Sequence, residues 1–268
     1  MDKNSAIGVF DSGMGGLTVA HGVKTLLPQE KLIYFGDSAH LPYGDKSAAT
    51  IQAYSVKICD VLLQQGCKVI LIACNSASAA AYELIKAYVG SKALVLNVID
   101  PVIDYLSETY TTAHIGLIGT KQTVGSGVYQ QKLGAKAPAL KLSALATPLL
   151  APMIEEGFHK NDISNQIIGE YLSQPELENI EALILGCTHY PLIKRHVAAF
   201  YKQGVDVIDA SQIVAKALET LLAEHDLLVG EAVGTDRFLV SDFTPSFQAA
   251  AQLFFQQQVS LEKHVLWE

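Results

Sequence analysis

LIACNS at residues 71–76 and ILGCTH at residues 184–189 share a pattern in which an apolar run leads to a cysteine followed by polar residues. Cys74 and Cys187 lie 113 positions apart. A second pair, IGVFDS at residues 7–12 and IGLIGT at residues 115–120, recurs at an offset of 108 positions. Two matches at nearly the same offset indicate an internal duplication, and they predict two related halves within one chain.

Short apolar runs alternate with longer helical patterns along most of the chain. The runs predict strands at residues 7–10, 32–35, 68–73, 94–98, 114–118, 140–145, 182–185 and 205–208. Helical patterns are predicted at residues 47–65, 76–89, 122–133 and 191–203. Strands separated by helices are typical of βαβ units, and nearly continuous apolar strands are typical of sheets covered on both faces. The sequence therefore predicts an α/β protein with mainly parallel sheets flanked by helices.

The duplication predicts two similar α/β domains. Asp100-Pro101 marks the expected boundary, because the residue before a proline disfavours helix. The strand predicted at residues 205–208 closes the second half, and the residues that remain are too few for a third domain. We therefore expect residues 1–99 and 208–268 in the first domain and residues 100–207 in the second. The segment after Gly230 shows no clear pattern.

Composition excludes several classes of function. A formal net charge of −8 and a pI near 5.5 leave no basic stripe for a phosphate backbone, so we expect no nucleic-acid partner. No apolar run approaches the roughly 20 residues of a membrane span, and residues 1–5 show no secretion signal. We therefore expect a soluble, cytoplasmic protein with no membrane partner.

The four cysteines fall into two groups. None belongs to a CxxC pair or to a Cys/His spacing typical of zinc, so we expect no metal. Cys59 lies in an apolar helical pattern and Cys67 precedes a strand, as buried structural cysteines do. Cys74 and Cys187 each follow a strand at equivalent points of the two halves. A helix N-terminus after each predicts a thiol pKa lowered from about 8.5 toward neutrality.

Small polar side chains dominate the residues that follow the predicted strands. Ligands of parallel α/β sheets bind beyond the carboxyl ends of strands, so these residues are candidates for a site that holds a small zwitterion. They are Asp11, Ser12, Asp37, Ser38, Asn75, Ser76, Gly119, Thr120, Thr188 and His189. Asp11 and His189 can each assist the neighbouring cysteine. The turn Pro42-Tyr43-Gly44 is either an ordinary loop or a cover over the ligand.

The glycine-rich segment at residues 11–16, DSGMGG, resembles a phosphate-binding loop at first sight. It lacks the GK[ST] sequence of a Walker loop, and Thr18 replaces the third glycine of GxGxxG. Asp11 at its head would also repel a phosphate. We expect the glycines to form a tight turn through positive φ angles, and the turn to present Asp11 and Ser12 to an ammonium or a catalytic group.

If the two halves pack face to face, Cys74 and Cys187 approach one ligand from opposite sides, and this arrangement indicates a reaction class. A thiolate can remove a proton from one face of a carbon while a thiol returns a proton to the other face, and the stereocentre is inverted. Backbone N–H groups after the two cysteines, with Asn75, Ser76 and Thr188, can stabilise the carbanion at its carboxylate.

These motifs resemble the glutamate racemase family within the cofactor-independent aspartate/glutamate racemase superfamily. The matching segments are FDSGMGG at residues 10–16, Asp37 with Pro42-Tyr43-Gly44, ACNSA at residues 73–77, Gly119-Thr120 and GCTHYP at residues 186–191. The resemblance implies two domains related by a pseudo-twofold axis, with the active site in the cleft between them. It also implies interconversion of L- and D-glutamate without PLP or another cofactor, for peptidoglycan synthesis.

The resemblance further implies roles for individual residues. Cys74 would act on the D-enantiomer and Cys187 on the L-enantiomer, supported by Asp11 and His189 respectively, and Glu155 matches a family acid on the Cys187 side. Substrate carboxylates and ammonium would be held by Ser12, Asn75, Ser76, Thr120 and Thr188, with Asp37, Pro42, Tyr43, Gly44 and Gly119 also expected at the site. The family more often has threonine where this chain has Ser76.

Three alternatives stay open at this stage. An aspartate or hydantoin racemase of the same superfamily would use the same two cysteines with a different side-chain pocket. A two-lobed small-molecule binding protein would explain the halves but not the paired cysteines. A cysteine hydrolase would need one nucleophile and a histidine, such as Cys187 and His189, and would leave Cys74 unused. The expected partner is a small molecule, and a homodimer stays open.

Overall fold

The computed structural model describes residues 1–232 and 234–267, and at residues 245 and 246 it describes the backbone alone. Ten strands in these residues form two sheets. In chain order they are β1 (Ile7–Asp11), β2 (Leu32–Gly36), β3 (Val69–Ile72), β4 (Leu94–Asn97), β5 (His114–Gly119), β6 (Lys141–Ala146), β7 (Ala182–Gly186), β8 (Asp206–Ile208), β9 (Arg237–Val240) and β10 (Leu261–Lys263). Every strand pairing is parallel, which confirms the α/β class and the parallel sheets.

Helices connect most successive strands. They are α1 (Leu17–Leu26), α2 (Ala48–Gln64), α3 (Asn75–Val89), α4 (Asp100–Thr109), α5 (Lys121–Gly125), α6 (Val128–Lys136), α7 (Leu150–Glu155), α8 (Asp162–Leu172), α9 (Lys194–Phe200), α10 (Ala210–Glu224) and α11 (Pro245–Phe255). Single turns of 3₁₀ helix occur at Tyr43–Asp45, Pro175–Leu177 and Tyr190–Ile193. Within the described residues, no helix combines the length and the apolar character needed to cross a membrane.

The two sheets share one strand order. The first sheet runs β10-β9-β2-β1-β3-β4 and the second runs β6-β5-β7-β8. When β1 is matched with β5 and β3 with β7, the order 2-1-3-4 recurs as 6-5-7-8. This is the correspondence that the two sequence matches predicted, and the repeated topology supports a duplication. The first sheet differs by the addition of β9 and β10 beside β2.

Apolar residues on both faces of the strands explain why the sheets are covered on both sides. Successive side chains of a strand point to opposite faces. In β3, Val69 and Leu71 join one hydrophobic cluster, whereas Ile70 and Ile72 join another on the opposite face. All four residues are fully buried, as strands between two layers of helices require.

Helix boundaries differ from the sequence prediction at two places. The helix predicted at residues 122–133 is two helices, α5 and α6, because Gly127 between them has a φ of +67°, a left-handed conformation that glycine adopts without strain. The helix predicted at residues 191–203 begins as a 3₁₀ turn, Tyr190–Ile193, and continues as α9. The segment after Gly230 contains β9, α11 and β10, none of which the sequence predicted.

The chain passes between the two sheets twice. Residues 98–113, which include α4, lead from β4 to β5, and residues 209–236, which include α10, lead from β8 back to β9. α10 packs against both α1 and α4. The division into residues 1–99 with 208–268 and residues 100–207 stays a proposal, which the membership of the strands in the two sheets supports.

The buried ion pair between Lys68 and Glu30 links segments near the first sheet that are far apart in the chain. The Lys68 ammonium donates hydrogen bonds to Glu30 Oε2 at 2.6 Å and to the carbonyls of Lys3 at 2.6 Å and Leu227 at 2.8 Å. Glu30 Oε1 accepts a hydrogen bond from the Val229 amide at 3.1 Å. Both side chains are nearly inaccessible to solvent, at 0% and 2% exposure. The pair therefore attaches the connection after α10 to the start of β3.

We predict that Lys68→Met lowers the free energy of unfolding by about 3–5 kcal/mol, because it leaves the Glu30 carboxylate buried without its cation. The matched control is Lys216→Met, which removes an exposed lysine paired with Glu219 and should change stability by less than about 1 kcal/mol. Urea denaturation followed by circular dichroism measures both. Equal effects of the two substitutions would contradict the prediction.

Candidate active site

The carboxyl ends of the central strands of both sheets open into one cleft. From the first sheet, the residues after β1 and β3 line it, and from the second sheet, the residues after β5 and β7 line it. These are the points where strand order reverses in each sheet, the usual position of a ligand in a parallel α/β fold. We refer to this space as the cleft; its wall is formed by Ser12, Leu41, Pro42, Tyr43, Gly44, Asp45, Cys74, Asn75, Ser76, Thr120, Lys121, Thr147, Pro148, Ala151, Pro152, Glu155, Gly186, Cys187, Thr188 and His189.

Cys74 reaches the cleft from the end of β3, as the N-cap residue of α3. Its sulfur accepts a hydrogen bond from the Ala77 amide at 3.4 Å and lies 3.7 Å from Ser12 Oγ. Burial, with the nearby Asp11 carboxylate, raises the pKa of Cys74 to about 12 and outweighs these two hydrogen bonds. The sequence-based expectation of a lowered pKa at Cys74 is therefore wrong, because burial has the larger effect. At neutral pH Cys74 is a thiol.

Cys187 reaches the same cleft from the end of β7 and has a different environment. His189 Nδ1 lies 3.5 Å from the Cys187 sulfur, and His189 Nε2 lies 2.8 Å from Glu155 Oε1. Burial alone would lower the pKa of His189, but the adjacent Cys187 and Glu155 outweigh it and raise the pKa well above its usual value. A protonated His189 can donate one N–H to each partner, and its charge stabilises a negative charge on the Cys187 sulfur.

Asp11 lies behind the cleft wall, fully buried at the end of β1. Its carboxylate accepts hydrogen bonds from the Gly13 amide at 3.1 Å and from Thr188 Oγ1 at 3.4 Å. Burial raises the pKa of Asp11, against the opposing influence of His189 and of the Gly16 and Gly13 amides. Through Thr188, Asp11 connects the end of β1 to the segment that carries Cys187.

A group of hydroxyls joins the two halves on the other side of the cleft. Ser76 Oγ lies 2.9 Å from Thr120 Oγ1, and Thr120 donates to Thr123 Oγ1 at 3.1 Å. Asn75 is fixed by the Tyr129 hydroxyl, which donates to Asn75 Oδ1 at 2.7 Å. Ser76 thus keeps the contact with Thr120 through its hydroxyl, which a serine and a threonine both possess. Hydroxyls and amides placed in this way can bind a carboxylate.

The turn that contains Pro42, Tyr43 and Gly44 forms part of the cleft wall, and Asp37 holds it from behind. The Asp37 carboxylate is inaccessible to solvent and accepts hydrogen bonds from Tyr43 OH at 2.6 Å and Ser241 Oγ at 2.7 Å. His40 Nδ1 lies 2.7 Å from Asp37 Oδ1, the oxygen that also accepts the hydrogen bond from Ser241. Asp37 therefore supports the wall without forming part of it.

Comparison with known proteins agrees with this geometry. A family model described as Asp/Glu/Hydantoin racemase matches residues 17–218. The chain belongs to this family. The glutamate racemase of Chlorobaculum parvum is 36% identical over 251 residues, which are 93% of this chain and 92% of that protein. This confirms the resemblance that the motifs indicated.

Solved structures give the same result at the level of the fold. The crystal structure of glutamate racemase from Francisella tularensis in complex with D-glutamate is similar with a TM-score of 0.92 and 38% identity, over 98% of both chains. The aspartate racemase of Picrophilus torridus is similar with a TM-score of 0.58 and 19% identity, over 84% of this chain and 99% of that chain. At that identity the second similarity shows a common fold.

Twelve of the fifteen site residues that the family resemblance implies line the cleft, whereas Ser38, a candidate from the strand ends alone, does not. The twelve are Ser12, Pro42, Tyr43, Gly44, Cys74, Asn75, Ser76, Thr120, Glu155, Cys187, Thr188 and His189. The other three, Asp11, Asp37 and Gly119, lie behind it. Gly119 pairs with Gly186 in the second sheet and its carbonyl accepts hydrogen bonds from Thr147. The roles of all fifteen in catalysis or binding stay proposals.

Several residues of the cleft wall were not predicted from the sequence. Thr147, Pro148, Ala151 and Pro152 belong to the segment between β6 and the end of α7, where only Glu155 was identified. Lys121 and Asp45 face each other at 3.1 Å across the mouth and are both exposed. The sequence could have indicated the residues after β6 as part of the site, because ligands bind beyond the carboxyl ends of parallel strands and β6 is one of these strands.

Close packing explains Gly15 and Gly16 of residues 11–16, and positive φ angles explain none of the three glycines there. Gly13, Gly15 and Gly16 are absent from the positions with positive φ, so the expected reason for these glycines is wrong. A Cβ atom at Gly15 would lie 2.5 Å from both Cε1 and Nδ1 of His189 and would also meet Thr188. A Cβ at Gly16 would lie 2.5 Å from Cβ of Asp11. Gly15 and Gly16 are therefore needed because His189 and Asp11 pack directly on the backbone at these two positions.

We predict that Gly15→Ala lowers the racemisation rate by about 100-fold, because the added methyl displaces His189 from Cys187 and a shift of about 1 Å has an effect of that size. Gly13→Ala is the control, since its methyl would meet only Leu41 Cδ2 at 3.3 Å within 4 Å. Polarimetry on both purified variants measures the rates, and circular dichroism checks the fold. The account fails here if Gly15→Ala and Gly13→Ala retain similar activity.

Proposed function

We propose that the protein interconverts L- and D-glutamate by two proton transfers at Cα, one at each of the cysteines Cys74 and Cys187. One observation carries the proposal: two cysteines from equivalent strands of two duplicated halves line a single cleft. The substrate assignment is supported by relatives named glutamate racemase at 36% and 38% identity over more than nine-tenths of the chain.

The environments of the two cysteines suggest how the reaction of L-glutamate begins. Cys187, whose sulfur lies beside protonated His189, acts as the base: in its thiolate form it removes the Cα proton, so the C–H bond breaks and an S–H bond forms. The Cys74 thiol then donates its proton to the opposite face of the carbanion, and D-glutamate results. The enzyme now carries a thiolate at Cys74 and a thiol at Cys187, ready for the reverse reaction or for proton exchange with solvent.

The carbanion requires stabilisation at the α-carboxylate, because an amino-acid Cα–H is a very weak acid. Hydroxyl and amide groups on both walls of the cleft can supply hydrogen bonds that strengthen as charge develops. We propose Ser12, Asn75 and Thr188 for this role, and the hydroxyls of Ser76 and Thr120 for the second carboxylate. The scheme needs no cofactor, because the two thiols account for both proton transfers.

We further propose that the D-glutamate formed supplies peptidoglycan synthesis, as the family resemblance implies. The cytoplasmic location and a homodimer stay predictions. Aspartate is the principal competing substrate, because it differs from glutamate by one methylene and leaves the chemistry at Cα unchanged.

We predict that the purified protein, with no added cofactor, reduces the optical rotation of L-glutamate to zero and acts at least about tenfold more slowly on L-aspartate, the discrimination expected for one methylene. Cys74→Ala and Cys187→Ala should each lower the rate by at least about 100-fold, since each removes one proton carrier. Cys59→Ala is the matched control, because Cys59 is fully buried in the core and outside the cleft.

The outcomes separate the alternatives. Activity on aspartate that exceeds activity on glutamate would replace the substrate and keep the mechanism. Loss of activity in one cysteine variant alone would contradict the use of two thiols. No change in rotation with either amino acid would reject racemisation of these substrates.

A further inference from the structure

The orientation of the His189 ring decides what it can do for Cys187. Its two nitrogens face different partners, Nδ1 toward the Cys187 sulfur at 3.5 Å and Nε2 toward Glu155 Oε1 at 2.8 Å. A rotation of the ring about its bond to Cβ would break both contacts at once. The ring has to be held by its surroundings, and His189 is only 5% exposed.

Two neighbours from outside the second sheet contact this ring. The backbone of Gly15 lies so close that an added Cβ would be 2.5 Å from Cε1 and Nδ1. The ring of Phe254 packs against the imidazole with centroids 5.2 Å apart and ring planes at 83°. Phe254 is fully buried. It belongs to α11, in the part of the chain after Gly230.

α11 is itself held firmly against the first half. Phe255, the next residue, packs on Phe238 of β9 with centroids 5.0 Å apart and on His21 of α1 at 6.0 Å. The Gln248 side chain donates to the Val259 carbonyl at 2.5 Å and accepts from the Leu261 amide at 3.4 Å, which ties α11 to the segment before β10 and to its first residue. Phe254 therefore presents a fixed surface, attached to the first sheet, to a histidine that follows the second.

We propose that Phe254 is a positioning residue for the reaction, which fixes the plane of the His189 ring and excludes water from it so that Nδ1 stays directed at Cys187. The proposal rests on the proposed racemisation of glutamate. It assigns to the C-terminal helix a part in one of the two proton transfers, the transfer at Cys187, and none in the transfer at Cys74. A residue that only filled the core would affect the two transfers alike.

Rates alone cannot distinguish the two sides of the site. L- and D-glutamate have equal free energies, so kcat/KM is the same in both directions and any defect lowers both values equally. Primary isotope effects do distinguish them. The isotope effect measured with one α-deuterated enantiomer reports how far removal of the deuteron from that enantiomer limits the rate. Slower transfer at Cys187 raises the isotope effect on kcat/KM for α-deuterated L-glutamate and lowers it for α-deuterated D-glutamate.

The test compares Phe254→Leu with Phe255→Leu in the full-length protein. Both replace a buried phenylalanine of α11 with an apolar residue that lacks a ring, and only Phe254 contacts His189. We expect Phe254→Leu to lower kcat/KM by about tenfold, less than the roughly 100-fold effect of a 1 Å misplacement because the ring keeps its other neighbours, and to move the two isotope effects in opposite directions. Phe255→Leu should leave both isotope effects at the parent values.

The proposal is overturned if Phe254→Leu leaves both isotope effects unchanged, moves them in the same direction, or matches Phe255→Leu. Thermal unfolding of each variant checks the fold, and Phe254→Met, a second replacement without a ring, repeats the test if Phe254→Leu does not fold. Failure of the proposed function is distinct from these outcomes, because the parent protein would then not racemise glutamate at all.

Discussion

Parallel pairing of β1 with β3 and of β5 with β7 is the constraint on which the rest of the structure depends. Each pairing places the end of a strand that leads to a cysteine beside the end of a second strand in its own sheet, and these ends of the two sheets, with Cys74 and Cys187, line one cleft. The strand order 2-1-3-4 and its repeat 6-5-7-8 make these positions equivalent. A duplicated fold thus supplies two similar groups to one cleft, the arrangement that a two-base inversion of a stereocentre uses.

The two sides of this duplicated site differ in their electrostatics. On one side, burial and the Asp11 carboxylate raise the pKa of Cys74, so that this sulfur holds its proton. On the other side, Cys187 and Glu155 raise the pKa of His189 well above its usual value, so that this ring carries a proton beside the Cys187 sulfur. The two halves share a backbone arrangement, whereas the partners of each cysteine are specific to its half. This asymmetry places a protonated thiol on one side of the cleft and a protonated histidine on the other.

Most of the site could be predicted from the sequence because it lies in local motifs at the ends of apolar strands. Eight strands were predicted with small errors at their ends, since residues such as Val69 to Ile72 are apolar on both faces. β9 and β10 were not, because charged residues interrupt the apolar pattern there: Arg237 begins β9, and Glu262 and Lys263 are two of the three residues of β10. The sequence also could not show that Ser241 supports Asp37 or that Phe254 packs on His189, since both contacts join segments far apart in the chain. The raised pKa of Cys74 depends on burial, which a motif does not reveal.

The claim that two thiols work on opposite faces of Cα is tested most directly by where deuterium first appears. L-Glutamate is incubated with the protein in D₂O, and both enantiomers are isolated while conversion is still small. The account predicts that the newly formed D-glutamate carries deuterium at Cα while the remaining L-glutamate still carries protium, because the arriving proton comes from the second, solvent-exchanged thiol. Deuterium in both enantiomers from the outset would contradict the account, since it would indicate a single base that returns the proton to either face.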